Sequence, residues 1–277
     1  MIYRFASRQD IPNMETLWCS TFGDSRAYVQ QFYAHWFDRA VFCIALDNER
    51  LVGISHMLPM TIRNGTTERC GKYLYACAVH PEYRQHGIFG TLLKRLHEIG
   101  DAENAEFLLV PAKDALIPYY EKFGYRITPF FSVELYTALP RTADSQAEMC
   151  ELTAEDYCRL RNKRLQTIPD AIEWDFDALH YALQEIRNSG GFAKKIILPE
   201  GECALLGYTD KDTVHLREIT ALPAMRERFI KAAGGFFSEK QITCRLPFSD
   251  GTAIRNGMVR RAAGTVQDAY YFPIDYL

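Results

Sequence analysis

Apolar residues recur along the chain with two distinct periods. Over 8–22, Ile11, Met14, Leu17, Trp18 and Phe22 stand three to four apart, the spacing that lays one stripe along a helix. Tyr28, Phe32 and Trp36 predict a second helix over 25–38 in the same way. Residues 2–6, VFCIALD at 41–47, LVGISHMLPMTIR after the polar Asp47–Arg50 turn, and 69–79 ending in Ala78-Val79 read as strands. From Gly87 to about Gly100 a helix is predicted by Leu92, Leu93, Leu96 and Ile99. FLLVP (107–111) is a short buried strand, 114–123 a short helix broken at Gly124, and 125–138 a returning strand. The first half thus reads β-α-α-β-β-β-α-β-α-β.

Residues 139–151 have no periodicity and are rich in turn formers, so 140–150 is expected to be a linker. Beyond it, Thr153 with Asp156 resembles a capping box opening a helix to about Gln166. A helix over 171–188, strands at 192–198, 203–209 and 213–219, a helix over 223–237 and a strand at 241–246 follow. The α-α-β-β-β-α-β order therefore appears twice with little residue match, as an old duplication would leave it. The expected organisation is an α/β (α+β) first domain over 1–139 and a degenerate copy over 151–277, each a mixed central sheet flanked by helices.

A length of 277 residues agrees with about two domains. With 48% apolar and 24% charged residues, the chain is globular rather than disordered, collagenous or coiled coil. A net charge of −3 speaks against a nucleic-acid partner, which needs a basic field. The eight cysteines form no CxxC pair, so no metal and no disulfide framework is expected, and free thiols fit a reducing compartment. MIYRFASRQD has no apolar leader, and the runs AVFCIAL and YLYACAV fall far short of a membrane span. A soluble cytoplasmic protein without a membrane partner is expected.

The informative stretch is His80-Pro81-Glu82-Tyr83-Arg84-Gln85-His86-Gly87-Ile88-Phe89-Gly90, between a strand and a helix. A glycine-punctuated turn opening a helix presents backbone N–H groups without intrahelical partners, at the positive end of the helix dipole. That is a site for a phosphate or pyrophosphate, or else an ordinary strand-to-helix turn. No GxxxxGK[ST] stretch occurs, and the glycines follow the fourth strand, not the first as a dinucleotide fold would place them.

YACAVHPEYRQHGIFGTLLKRL (75–96) resembles the acyl-CoA-binding motif of the GNAT family, the general-control-related N-acetyltransferases. Arg84, Gly87 and the following helix match in register. Phe89 stands where the family has Gly or Ala, with Gly90 one residue later. PYYEKFGYR (118–126) resembles the family's second signature, in the right order and one strand away. Lys113 replaces an asparagine common before this helix. The resemblance covers residues 1–138 and is similar to the enhanced-intracellular-survival branch in having a second, degenerate half.

The resemblance implies an acetyl-CoA-dependent N-acetyltransferase in which a neutral primary amine attacks the thioester directly, with acetyl-CoA as co-substrate and no metal. Backbone groups of Cys77, Ala78 and Val79 would pair with the pantetheine arm. Arg84 and the amides of Gln85, His86, Gly87, Ile88, Phe89 and Gly90 would hold the pyrophosphate. Tyr120, four residues before Gly124, would be the acid that donates to the leaving sulfur, with Tyr119 as the competing hydroxyl. Candidates for the base are His56, His80, Glu82, Tyr75 and, as in that branch, the terminal carboxylate of Leu277. The acceptor is a small-molecule or protein amine.

The second half lacks the phosphate turn: Ala221-Leu222-Pro223 has no glycine, and the proline removes an amide. No second CoA site is expected there; this half walls the acceptor pocket or pairs with a second copy in a homodimer. Glu173, Trp174, Asp175 and Asp177 read as a capped helix start or as a cationic acceptor site. Two other functions fit the same fold: a non-catalytic acyl-CoA sensor or scaffold, and a tandem-GNAT aminoacyl transferase.

Overall fold

The computed structural model describes residues 1–137, 145–237, 241–247, 252–264 and 266–273. The chain divides into two compact units. One comprises Met1–Thr61, Arg69–Arg126 and Met258–Val266; the other comprises Ile62–Glu68, Ile127–Gly257 and Gln267–Leu277.

In the first unit, β1 (Ile2–Phe5) leads through a 3-10 turn at Arg8–Asp10 into α1 (Ile11–Phe22) and α2 (Arg26–Trp36). The turn accounts for the helix starting at Ile11, the first residue of its apolar stripe, and not at residue 8: Asp10 Oδ2 accepts from the Ser7 amide and hydroxyl, and the Arg4 guanidinium clamps the same carboxylate. Next come β2 (Val41–Asp47), β3 (Arg50–Asn64) and β4 (Thr67–Val79), then α3 (Ile88–Ala102), β5 (Glu106–Leu109), α4 (Ile117–Glu121) and β6 (Arg126–Thr128). β1, β2 and β3 pair antiparallel, and β4 pairs parallel with β5. Side chains alternate across the sheet. Phe42 meets Phe32 and Tyr33 of α2, whereas Cys43 and Ala45 pack in one cluster with Ile88, Leu92 and Leu96 of α3. α1 and α2 therefore cover one face, α3 the other.

The second unit carries β7 (Phe131–Tyr136), β8 (Glu148–Glu151), α5 (Ala154–Leu165), β9 (Ala171–Glu173), α6 (Phe176–Asn188), β10 (Phe192–Leu198), β11 (Gly201–Asp210), β12 (Thr213–Ile219), α7 (Pro223–Phe237), β13 (Gln241–Leu246) and β14 (Thr252–Ile254). Its sheet runs β14-β7-β13-β12-β11-β10-β8, with β12 and β13 parallel. Ile196, Leu205, Leu216, Ile230 and Ile242 form its core. Two mixed α/β units with helix-flanked sheets bear out the expected fold class.

Several boundaries differ from the sequence expectation. The strand over 125–138 splits at Pro129, which has no N–H to donate to a ladder, and β7 joins the second unit's sheet. The linker of 140–150 gives way at Glu148 to β8, which pairs with β10; residues 138–144 lie outside the described residues. The helix over 171–188 starts only after Asp175, whose side chain caps it by accepting from Ala178 N–H at 2.9 Å; residues 171–173 are β9. The division at 139/151 is also not the observed one. Strand β15 (Gly257–Arg261) belongs by Met258–Arg261 to the first unit, pairing antiparallel with β5 from Met258–Leu109 to Arg261–Glu106. The first sheet accordingly runs β1-β2-β3-β4-β5-β15-β6.

Candidate active site

The parallel register of β4 with β5 spans Gly71–Tyr73 against Glu106–Leu108, while β4 runs on to Val79. Within that extension Ala76 has φ +44°, a left-handed conformation that bends the strand. Cys77, Ala78 and Val79 follow the bend and line a cavity of about 800 Å³. The chain then turns through a 3-10 segment (Pro81–Tyr83) pinned by Tyr83, whose hydroxyl donates to Asp47 at 3.0 Å.

Gln85 (φ +67°) and Gly87 (φ +75°) are both left-handed, and Gly87 caps α3. The first amide to reach back within the helix is that of Thr91, on the Gly87 carbonyl at 3.1 Å. The amides of Ile88, Phe89 and Gly90 precede it and have no carbonyl a turn behind them. Amides so placed at a helix N-terminus could hold an anion, and a pyrophosphate is of the chemistry they would take. Arg84 Nε donates to the Val79 carbonyl at 3.1 Å, tying the loop to the end of β4. Arg84, Gln85, Gly87, Ile88 and Phe89 line the cavity; His86 and Gly90 are not among its lining residues. Gly90 has another task. A Cβ there would lie 3.1 Å from the Phe123 ring and 3.2 Å from the Tyr119 hydroxyl, so its bareness lets α3 approach α4.

Tyr120 also lines the cavity, with its ring edge-on to Phe89 (5.9 Å) and to Tyr125 (5.8 Å). Burial, with smaller contributions from Cys77 and Tyr119, raises its phenol well above the usual 10, so it is a protonated hydrogen-bond donor at neutral pH. Tyr119, stacked on Phe89 at 5.7 Å, lines the same cavity and is raised by burial as well. Cys77 Sγ lies 3.2 Å from Ser55 Oγ, and burial raises the thiol, which makes it a wall rather than a nucleophile.

The base candidates lie elsewhere. His56 is fully buried on the α1–α2 face, stacked on Trp18 and bonded to the Tyr33 hydroxyl at 3.2 Å; burial holds it near 3, so it stays neutral. The Tyr75 hydroxyl meets that of Tyr28 at 2.7 Å. His80 contacts Arg50 at 2.9 Å, and Glu82 pairs with Arg50 at 3.2 Å, outside the cavity lining. Leu277 lies outside the described residues.

Sequence reasoning missed Thr21, Phe22, Ala112, Ala115 and Leu116 as lining residues. Phe22 falls by spacing on the α1 stripe, yet it is 40% exposed at the end of the helix. Lys113 lines the cavity, and with Arg84 it makes the charged lining cationic. In the second unit, Ala221 is buried and Pro223 opens α7, as its sequence implies. Trp174 is buried, Asp175 is a helix cap and Glu173 pairs with Arg63, so that cluster is a structural helix start. No group of three metal-ligating side chains occurs among the described residues. Nor is any helix there long and apolar enough to cross a membrane.

Residues 2–128 match the family model described as acetyltransferase (GNAT) domain. Serotonin N-acetyltransferase of Mesocricetus auratus is 40% identical over 55 residues, which is 20% of this chain and 27% of that protein. The chain thus aligns with about a quarter of this curated relative. Among solved structures, a probable N-acyltransferase from Enterococcus faecalis is similar with a TM-score of 0.73 at 16% identity, over 94% of this chain and 72% of that one. Eis1 from Mycobacterium abscessus is similar with a TM-score of 0.69 at 14% identity, over 94% and 74%. At these identities the likeness is one of fold, and it extends across both units.

Proposed function

We propose, for a chain that belongs to the GNAT superfamily through residues 2–128, that it transfers an acetyl group from acetyl-CoA to a primary amine. The observation that carries this reading is the convergence on one cavity of a bent strand end, an anion cradle and a protonated phenol. Backbone groups of Cys77–Val79 pair with the pantetheine amides; one lone pair of the Val79 carbonyl is already taken by Arg84. The amides at the start of α3 hold the pyrophosphate, with Arg84 and Lys113 adding positive charge.

The reaction forms an N–C bond and breaks the C–S bond. The proton lost by the amine nitrogen leaves to water or to the sulfur. Tyr120 donates a hydrogen bond to the sulfur as negative charge grows there, so the bond is strongest in the transition state. A phenol this buried does not ionise in the working range and keeps its donor throughout. An acetyl acceptor that is a small molecule or a protein amine fits equally with this chemistry, and a cytoplasmic setting agrees with the free thiols.

Thermal unfolding with acetyl-CoA, CoA and NAD in parallel tests the donor. A ligand at 100 times its Kd stabilises by about 2.7 kcal/mol. Stabilisation by both CoA species and not by NAD, followed by thiol release with an amine panel, is the expected result. No shift with either CoA species would overturn the reading. Binding without turnover on any amine would leave a sensor in its place.

A further inference from the structure

We infer that Tyr119 is a donor-binding residue: its hydroxyl donates to the pyrophosphate of the CoA thioester, and the Phe89 ring holds it in place to do so. This rests on the acetyl-transfer reading and assigns, within that site, a side chain that the transfer chemistry does not use.

Tyr119 and Tyr120 are consecutive on α4, so their side chains leave the helix about 100° apart. Their rings stand at 81° to each other with centroids 6.0 Å apart. Phe89 touches both, in different ways. It stacks on Tyr119 at 24° and stands edge-on to Tyr120 at 87°. Phe123, just past α4, meets the Tyr119 ring at 5.2 Å. Tyr119 is thus gripped between a ring of α3 and a ring of its own chain segment.

That grip sends the Tyr119 hydroxyl to the first turn of α3. The hydroxyl lies 3.2 Å from the position that a Cβ on Gly90 would take. A helical Cβ leans towards the helix N-terminus, so the hydroxyl stands on the side of Gly90 that faces the amides opening α3. It has no hydrogen-bond partner among the described residues, and it lines the cavity together with Arg84 and Lys113. Burial raises the phenol, which therefore keeps its proton at neutral pH and can only be satisfied as a donor by an acceptor brought in from outside. An anion held by the helix N-terminus is such an acceptor, and its charge strengthens the bond.

Tyr120 has different surroundings. Cys77, at the end of β4, contributes to the raised phenol of Tyr120, whereas burial alone acts on Tyr119. The two adjacent tyrosines therefore divide the donor between them: Tyr120 serves the thioester end and Tyr119 the phosphate end.

Tyr119→Phe removes the hydroxyl and keeps the ring. The Kd for CoA by titration calorimetry should rise about tenfold in the full chain, and kcat/KM with acetyl-CoA should fall by a similar factor through KM. Acetylpantetheine has the thioester and the arm but no pyrophosphate, and with it the variant should stay within about twofold of the parent. Gly90→Ala sets a methyl group against the hydroxyl. It should weaken CoA binding in the parent chain and do so less in the Tyr119→Phe background. An unchanged Kd for CoA in Tyr119→Phe, a loss of the same size with acetylpantetheine, or full additivity with Gly90→Ala would overturn the inference. Failure of the parent chain to bind CoA is a separate readout and would remove the transferase reading, and this assignment with it.

Discussion

The guanidinium of Arg260 grips both carboxylate oxygens of Asp101, at 2.6 and 2.7 Å, although 159 residues separate them in the chain. Arg260 also lies over the Phe107 ring at 5.2 Å. Its hydrogen bonds hold the Asp101 carboxyl below the usual 3.8. β15 is thus fastened to the first unit by charge as well as by its ladder with β5. Arg260→Met, which keeps the stem and leaves Asp101 partly buried without its fork, is expected to lose about 1–3 kcal/mol in urea unfolding. An unchanged midpoint would mean that the ladder alone secures the strand.

That fastening was hidden from the sequence. Gly257–Arg261 is a short run whose partner, β5, is set by tertiary pairing and not by periodicity. The split at Pro129 was more accessible, because a proline in a strand pattern demotes it. The elements that frame the proposed donor site were legible: the stripe of Leu92, Leu93 and Leu96 and the glycine-marked turn lie where the spacing put them. The bend at Ala76 was not legible, since an alanine at positive φ leaves no compositional mark. Phe22 fitted the helical stripe, and only Gly23 ending α1 one residue later leaves it on the cavity wall.

Tyr120→Phe removes one hydroxyl and keeps the ring contacts with Phe89 and Tyr125. It should lower kcat by about a hundredfold or more while leaving the acetyl-CoA thermal shift intact. Because burial raises this phenol well above 10, no alkaline fall in kcat below about pH 10 should vanish in the variant. A Phe variant with full kcat would transfer the role to Tyr119.

Gly87→Ala is a test of backbone alone. At φ +75° a Cβ meets nothing within 4 Å, so the substitution adds conformational strain of about 1–2 kcal/mol and no clash. Where the loop relaxes, the cradle amides turn away, and the Kd for acetyl-CoA should rise about tenfold by titration calorimetry. Gly87→Asn, which tolerates the left-handed region better, should recover part of the loss. Equal affinity in the glycine and alanine chains would remove this turn from the binding site.

Two buried histidines should make the fold acid-sensitive well above the carboxylate range. His56 and His97 are both brought down from 6.5 to about 3, first by burial, and His97 further by Arg260. Each is held neutral against a tyrosine hydroxyl, Tyr33 at 3.2 Å and Tyr125 at 2.8 Å. Below pH 6.5 the unfolded chain takes up protons at these positions that the native chain refuses until about pH 3. Stability therefore falls as pH drops through that window, by about 2 kcal/mol per histidine at pH 5. Urea midpoints at pH 7 and pH 5 measure this, and replacing both histidines by glutamine should flatten the difference whatever it does to the midpoint at pH 7. The Arg4–Asp10 pair cannot produce the same slope. It holds Asp10 near 2, so its contribution is lost only as pH falls from about 3.8 towards 2. A pH 7 to pH 5 difference that survives in the double variant would therefore place the acid sensitivity on groups other than His56 and His97.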